Sequence, residues 1–392
     1  MMLPNGWEKV RLGDIATISS GSTPLRSNKA YFDNGNMPWV KTMDLTNGKI
    51  TKTDECITEL AAKKCKPYPT GTVLVAMYGG FNQIGRTGLL TFPASINQAL
   101  AALQFEKDVC SEYVLFYLNA NVDRWRSCAA SSRKDPNITS HDVEKFKIVM
   151  PPLEEQKKIA ATLSVWDSAI EKMEKLIEAK EISFNSLLKE LIYAPAEKEC
   201  WNIVKLGDVS EMSSGGTPKS SVEKYYNGDV LWVSIADMTE QGMYIKDTAK
   251  KLTKLGVENS AAKIYPKGTV LYAMYASIGE VSIAEKEMAS SQAILGIQVS
   301  DKLVNKYLYY FLVGQKERIK LQGQAGTQSN LNAGMVKNLD IPIPSIKEQN
   351  KIIAVLDNGM DELSLLKQQL ENYKKQKQGL MQKLLTGQWR VK

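Results

Sequence analysis

Three kinds of polar stretch in this chain could do chemistry, and in each the chemistry is recognition. Ser19-Ser20-Gly21-Ser22-Thr23-Pro24 and Ser213-Ser214-Gly215-Gly216-Thr217-Pro218 place hydroxyls and backbone N–H groups on glycine-containing loops. Such groups suit phosphate oxygens; the competing reading is a turn that only glycine permits. Tyr78-Gly79-Gly80-Phe81-Asn82-Gln83-Ile84-Gly85-Arg86 follows a strand-like run, and a shorter stretch, Tyr275-Ala276-Ser277-Ile278-Gly279-Glu280, holds the equivalent place later. Asn and Gln read adenine edges, and Arg reads guanine, by paired hydrogen bonds in the major groove; the competing reading is an exposed loop of no consequence. Arg124, Arg126, Arg133 and Lys134 cluster before Asn137. Lys316, Arg318, Lys320, Gln322, Gln324, Gln328, Ser329 and Asn330 fill the matching stretch. Clustered cations and amides fit a nucleic-acid surface, and a solvated helix end accounts for them as well.

The candidates for DNA contact are then Ser22, Thr23, Lys41, Tyr78, Asn82, Gln83, Arg86, Arg126, Arg133 and Lys134 in the first half of the chain. In the second half they are Gly216, Thr217, Lys219, Ser234, Tyr275, Ser277, Lys320, Gln324, Gln328 and Asn330. Trp39 and Trp232, at strand-like positions, read as core rather than as stacking platforms.

Motifs for catalysis are missing. The sequence has no GxxxxGK[ST] phosphate loop, no GxGxxG after a strand and no GxSxG elbow. An adenine methyltransferase is expected to carry an Asn/Asp-Pro-Pro-aromatic tetrapeptide; Asp135-Pro136-Asn137 and Met150-Pro151-Pro152-Leu153 both fail it. The single histidine, His141, makes a His-rich zinc site improbable and reads as a solvated residue before a strand. No metal site and no cofactor of its own is expected. Five cysteines without a CxxC pair suggest free thiols in a reducing compartment. No apolar run approaches the roughly 18 to 20 residues of a membrane span, and the start lacks a signal-peptide core, so the expected location is cytoplasmic. A net charge of +7 permits a polyanionic partner without demanding one.

The elements that must position these residues come in two copies. WEKVRLGDIATISSGSTP (7–24) returns as WNIVKLGDVSEMSSGGTP (201–218). PWVKTMDLT (38–46) matches LWVSIADMT (231–239), and PTGTVLVAMYG (69–79) matches PKGTVLYAMYA (266–276). INQAL (96–100) matches SSQAI (290–294), EYVLFYLNA (112–120) matches KYLYYFLVG (306–314), and IVMPPLEEQKKIAATL (148–163) matches IPIPSIKEQNKIIAVL (341–356). A period this long means duplicated domains, not a solenoid. Within each copy, Val10–Leu12 reads as a short strand, Gly13-Asp14 as a turn or cap, and Ser19–Pro24 as a loop. Val73, Val75 and Met77 alternate as in a strand, and 113–125 has helical spacing.

Each copy ends in a long helix. Ile159, Leu163, Trp166, Ile170, Met173, Ile177, Lys180, Phe184, Leu187 and Leu191 follow alternating steps of four and three, the seam of a coiled coil. The seam recurs at Ile352, Leu356, Gly359, Leu363, Leu366, Leu370, Tyr373, Lys377, Leu380 and Leu384, each 193 residues later (352 − 159, 384 − 191). Lys180, Gly359 and Lys377 break the apolar run. The two helices are natural antiparallel partners, which should place Trp166 toward Lys377 and Phe184 toward Gly359. Trp389 to Lys392 looks like the opening of a third copy, so the termini should meet at the first head. The expected fold is α+β: two homologous mixed α/β heads joined by two long antiparallel coiled-coil helices, pseudo-two-fold and cyclic. The expected domains are head one over 1–150, a spacer helix over 151–194, head two over 195–344, and a second helix with closing tail over 345–392.

These features together resemble the specificity subunit of type I restriction–modification enzymes. The resemblance rests on Leu-Gly-Asp and Ser-Gly-[Ser/Gly]-Thr-Pro at the head of each copy. It rests also on the helix entries Pro151 to Ile159 and Pro344 to Ile352, and on Leu-Leu-Thr-Gly at 384–387. It implies a non-catalytic DNA reader whose two target recognition domains each take one half of a bipartite, asymmetric site on double-stranded DNA. It implies two methyltransferase (modification) subunits docked on the helices, bringing S-adenosylmethionine and adenine N6 methylation. Restriction subunits would add translocation and cleavage that need ATP and Mg. Roughly 40 helical residues span about 60 Å, which suits a spacer. The alternative is a coiled-coil scaffold whose heads bind protein.

Overall fold

The computed structural model describes residues 3–80, 82–129, 137–194, 201–275, 277–324 and 331–391, without the side chains of Cys128 and of 317–324. The chain divides into two units, Met1–Glu174 with Gln369–Lys392 and Lys175–Gln368.

In the first unit, Glu8–Arg11 pairs antiparallel with Lys147–Met150, Glu8 opposite Met150, so the head closes where its long helix begins. The main sheet has the order Ala16–Ser20, Leu100–Phe105, Val73–Ala76, Thr87–Leu90, Gly48–Ile50. Only its last pair is parallel. Val73–Ala76 is buried on both faces, which is why its apolar residues run without a break. Val73 and Val75 join Tyr113, Val114 and Tyr117 of the helix Ser111–Ala120 in one core. Leu74 and Ala76 face a second core with Val40, Leu45, Ile50, Tyr68 and Leu90. A smaller sheet, Cys56–Ile57, Met37–Val40 and Ser95–Ile96, lies beyond.

The second unit repeats the order with Ser210–Ser214, Ile294–Val299, Val270–Ala273, Val281–Ala284 and Tyr244–Ile245. Its small sheet gains a strand, Ile264–Tyr265, where the first unit has a single bridge between Tyr68 and Ala94. Tyr113 and Tyr307 donate the same hydrogen bond in the two copies, to the carbonyls of Val149 (2.7 Å) and Pro342 (3.1 Å).

Three expected boundaries move. The first strand ends at Arg11, and Leu12 opens a short helix, Leu12–Ile15. Ser19 and Ser20 belong to the strand Ala16–Ser20, so the loop starts at Gly21. The helical run 113–125 is interrupted at Asn121, between Ser111–Ala120 and Val122–Ala129. His141 is exposed on a short helix before the last strand and faces Glu144 at 3.5 Å.

The long helices run over Leu153–Leu188, followed by a π-helical turn Lys189–Tyr193, and over Ile346–Leu385. Pro151 and Pro152 stand just outside the first, where missing N–H groups cost nothing. Ser345 and Glu348 have capping-box spacing at the second, the Glu348 N–H reaching Ser345 Oγ at 3.3 Å. Within each unit the two helices lie antiparallel. In the first, Trp166 stands edge-on to Tyr373, with centroids 5.9 Å apart, and Lys374 pairs with Glu174 at 3.0 Å. In the second, Lys367 pairs with Glu181 at 2.6 Å and Lys180 with Glu362 at 2.7 Å. Ile159, Leu163 and Leu384 sink into the core of head one, and Phe184, Ile352, Leu356 and Leu363 into that of head two. Ile177 is buried, while Ile170, Met173, Leu366, Leu370 and Leu380 are half-buried, as expected where only two helices share a seam.

The seam reading fails at its end. Leu188 and Ile192 are buried, whereas Leu187 and Leu191 stay half-exposed against head two. There the inward face is set by head two rather than by the partner helix.

At the C-terminus, Gly387 takes φ +74°, and a Cβ there would stand 2.5 Å from Pro4. Arg390 reaches Glu155 with two hydrogen bonds, 2.5 and 2.7 Å, and the Trp7 indole N–H donates to the same carboxylate at 3.0 Å. The two ends of the chain thus meet at head one.

Among the described residues, Cys56, Cys65 and Cys110 are free, no group of three or more His, Cys, Asp or Glu is placed to hold a metal ion, and no helix is long and apolar enough to cross a membrane.

Candidate nucleic-acid interface

The Ser-Ser-Gly loops are frame before they are surface. A Cβ at Gly21 would fall 2.2 Å from the Ile96 carbonyl oxygen, and one at Gly215 2.3 Å from that of Ser290. Close approach, rather than a left-handed turn, is what demands glycine there. The N–H groups expected to be open are spent: Gly21 donates to Leu100, Ser22 to Ile96, Gly215 to Ile294 and Gly216 to Ser290. The Trp39 indole donates to the Ser22 carbonyl at 3.2 Å, and the Trp232 indole to that of Gly216 at 3.0 Å. Both tryptophans are core, 1% and 7% exposed. Tyr68 and Tyr265 tie the same loops from the other side, through the carbonyls of Ser20 and Ser213. The loop N–H groups therefore do not face a ligand, and Gly216 has no donor left to offer. What remains exposed is Thr23, whose hydroxyl meets Gln98, together with Thr217 and Lys219. Ser22 is half-buried and donates weakly to the Lys64 carbonyl at 3.4 Å.

Lys41 and Ser234 hold equivalent cap positions. Lys41 N–H donates to Asp44 at 2.7 Å, and the Ser234 N–H and hydroxyl donate to Asp237 at 2.8 and 2.6 Å. Each aspartate also accepts a distant N–H, Asp54 for Asp44 and Ala249 for Asp237. Ser234 is thus a helix cap, its hydroxyl committed within its own turn. The Lys41 ammonium lies 3.0 Å from Glu55. The Arg26 guanidinium hydrogen-bonded to Glu55, with Lys41 beside it, holds that carboxyl below its usual range. Arg26 also covers the rings of Phe32 and Trp39 at 4.7 and 4.8 Å. Its side chain is half exposed, and sequence reasoning passed it over.

The stretches after Tyr78 and Tyr275 are the tips of equivalent hairpins. Both close with the same bonds: Ala76 N–H to the Arg86 carbonyl and Gly85 N–H back to Ala76 in one, Ala273 to Glu280 and Gly279 to Ala273 in the other. Gly85 (φ +76°) and Gly279 (φ +83°) take the left-handed turn that lets the strand restart. Beyond this shared base the tips diverge. Head one's is longer, pinned inward by buried Ile84, with Asn82 exposed and Gln83 half-exposed. Tyr78 and Tyr275 project at 41% and 38% exposure, and Ser277 is exposed. Arg86 and Glu280 occupy the same position with opposite charge. Glu280 is neutralised by Lys316 at 2.5 Å, whereas the Arg86 guanidinium has no partner among the described residues. Gln83 donates its amide to the sulfur of Met43 at 3.2 Å, and Met43 is 64% exposed. Sequence reasoning missed Met43; its only signal was an apolar residue in the polar turn Thr42-Met43-Asp44.

The basic cluster separates. Arg124 turns inward, donating to the Lys147 carbonyl at 2.9 Å and lying 4.1 Å over the Phe146 ring. Arg126 is exposed and pairs with Asp123 at 3.1 Å. Arg133, Lys134, Gln328 and Asn330 lie outside the described residues, as do the side chains of Lys320 and Gln324.

A frame built twice, with exposed tips that differ in length and charge, defines a duplicated two-headed protein. The sequence pattern of the type I restriction modification DNA specificity domain matches residues 4–181 and again 198–374. The chain therefore belongs to the type I restriction–modification specificity family, as the DNA specificity subunit rather than a catalytic one. Over its full length it is 24% identical to the type I restriction enzyme MjaVIII specificity subunit of Methanocaldococcus jannaschii, covering 95% of that protein. Over 45% of the chain it is 32% identical to the MjaIX specificity subunit of the same organism, covering 40% of it. Its fold matches a chain solved in work on complex assembly and conformational transition of the type I R-M system, with a TM-score of 0.64, 20% identity and coverage of 99% of this chain and 100% of that one.

Proposed function

We propose that each head reads one half of a bipartite, asymmetric DNA site, and that the paired helices set the gap between the halves. The single observation that carries this reading is the pair of equivalent hairpin tips, alike at the base and different where exposed. A shared frame positions a reader in the same way in both heads. Different tips then select different bases, Asn82, Gln83 and Arg86 in one and Ser277 with Tyr275 in the other. Thr23, Thr217, Lys219 and Arg126 supply polar and cationic groups suited to backbone phosphates, which position without specifying. The helices, whose outer faces are polar with scattered apolar residues, take two methyltransferase subunits. Those subunits bring S-adenosylmethionine and methylate adenine N6; restriction subunits join the full complex and use ATP and Mg. The setting is the cytoplasm, where the DNA is.

Mapping adenine methylation across the genome with and without this gene, partners expressed, tests the proposal. A two-part motif that disappears with the gene supports it; an unchanged methylation map overturns it.

A further inference from the structure

We infer that Met43 and Gln83 form one composite reader for an A·T base pair, present in head one and absent from head two. The inference rests on the DNA-reading role proposed above and deepens it.

The two residues come from separate loops, Met43 from the 3₁₀ turn Thr42–Asp44 and Gln83 from the hairpin tip. Their side chains nevertheless touch, with Gln83 Nε2 3.2 Å from Met43 Sδ. A thioether is a weak acceptor, so the contact orients the amide without consuming it. Among the described residues the carboxamide oxygen, which lies over Gly79, and the second N–H have no hydrogen-bond partner. An adenine presents in the major groove one acceptor, N7, and one donor, N6, side by side, and an oriented carboxamide matches both. The thymine of an A·T pair presents a methyl group on the same groove edge. Met43 carries a polarizable apolar end at 64% exposure, accessible to a groove edge. An amide for adenine and a thioether for the thymine methyl, side by side, fit one A·T pair or two adjacent ones.

The backbone on either side of the pair is tied into head one. Ile84 is buried next to Gln83, Gly79 and Gly80 bend the tip at φ +118° and +77°, and Asp44 caps the turn beneath Met43. Head two has neither half of the device. Ala236 stands where Met43 would be (236 − 43 = 193), and Ser277 holds the place of Gln83, its carbonyl accepting from the Glu280 N–H as that of Gln83 does from the Arg86 N–H.

The test uses the full chain with its methyltransferase partners in cells, read by base-resolution adenine methylation mapping. Gln83→Glu keeps the length but has only acceptors, which suit the cytosine N4 amine and repel adenine N7. It is expected to move one position of one half-site from A·T toward C·G by roughly tenfold or more. Met43→Ala is expected to relax that position or its neighbour about threefold, and Met43→Leu to preserve it. The other half-site and the gap stay as in the wild type. An unchanged motif in both Gln83→Glu and Met43→Ala overturns the inference. So does a change spread over both half-sites, or loss of methylation at every site while the purified complex still assembles, since either makes the pair part of the frame. A wild-type complex that yields no two-part motif would instead overturn the parent reading.

Discussion

The ring of Phe184 fills the space that a side chain at Gly359 would need: a Cβ there would stand 2.9 Å from Phe184 Cδ2. Gly359 breaks the apolar seam because the opposite helix brings a large ring to that level. The first unit meets the same seam level with other residues. Its counterparts are Trp166 (359 − 166 = 193) and Lys377 (377 − 184 = 193), where Lys377 pairs with Asp167 and Trp166 leans on Tyr373. The ion pairs Glu174–Lys374 and Glu181–Lys367 are likewise each other's counterparts (367 − 174 = 193, 374 − 181 = 193). Both units therefore use one antiparallel register.

Gly359→Leu should destabilise the second unit by about 1–3 kcal/mol, because overpacking outweighs the gain in helix propensity of about 1 kcal/mol. In a Phe184→Ala background the same substitution should cost far less. A double-mutant cycle by chemical denaturation measures the coupling, and additive effects would contradict the packing described.

Gln156 and Gln349, the glutamines of the two helix entries, are buried staples. Gln349 accepts from Val304 N–H at 2.8 Å and donates to the carbonyls of Lys302 and Pro344, each at 2.9 Å. Gln156 does the same with Cys110 and Pro151. Gln349→Leu leaves these three groups unpaired and should cost at least about 3 kcal/mol, at about 1–3 kcal/mol for each group left without a partner. A midpoint in urea within error of the wild type would refute the staple.

The second unit should lose stability at high pH through Tyr310. Burial, reinforced by the hydrogen bond to Asp357, pushes this phenol well above its ordinary value. The folded state then holds the proton where the unfolded chain releases it. The stabilisation is complete below the ordinary tyrosine value of about 10 and fades as pH rises above it. Tyr310→Phe, which copies Phe116 of the first unit (310 − 116 = 194), should flatten the fall in stability above about pH 10. An alkaline melting profile as steep as the wild type's would contradict this.

If the helices set the gap, inserting one heptad into both should lengthen the non-specific spacer and leave both half-sites unchanged. Methylation mapping that finds altered half-sites across an unchanged gap would refute the spacer role.

Much of this was legible from residues alone, because period and repetition survive without coordinates. The step pattern of the seam, read with its 193-residue echo, placed Phe184 toward Gly359 and Trp166 toward Lys377. Roles that depend on distant partners stayed hidden. Gln156 and Gln349 were visible as a repeated motif, but the N–H groups they satisfy lie 46 and 45 residues away. Ser234 read as a candidate for DNA contact and serves as a helix cap, its hydroxyl donating to Asp237. The Ser-Ser-Gly loops read equally as open donors or as turns that only glycine permits, because sequence does not reveal that neighbouring carbonyls consume the donors. Leu187 and Leu191 followed the helical period correctly until head two, not the partner helix, decided which side was inside. Met43 was invisible because only the fold brings it to Gln83.

The most direct measurement is base-resolution adenine methylation in cells whose subunit carries the tip of head two, residues 275–280, in place of residues 78–86. Two heads that read independently predict that one half-site changes while the other half and the gap are kept. A change in both halves, or a methylated motif identical to that of the unaltered subunit, would contradict the account.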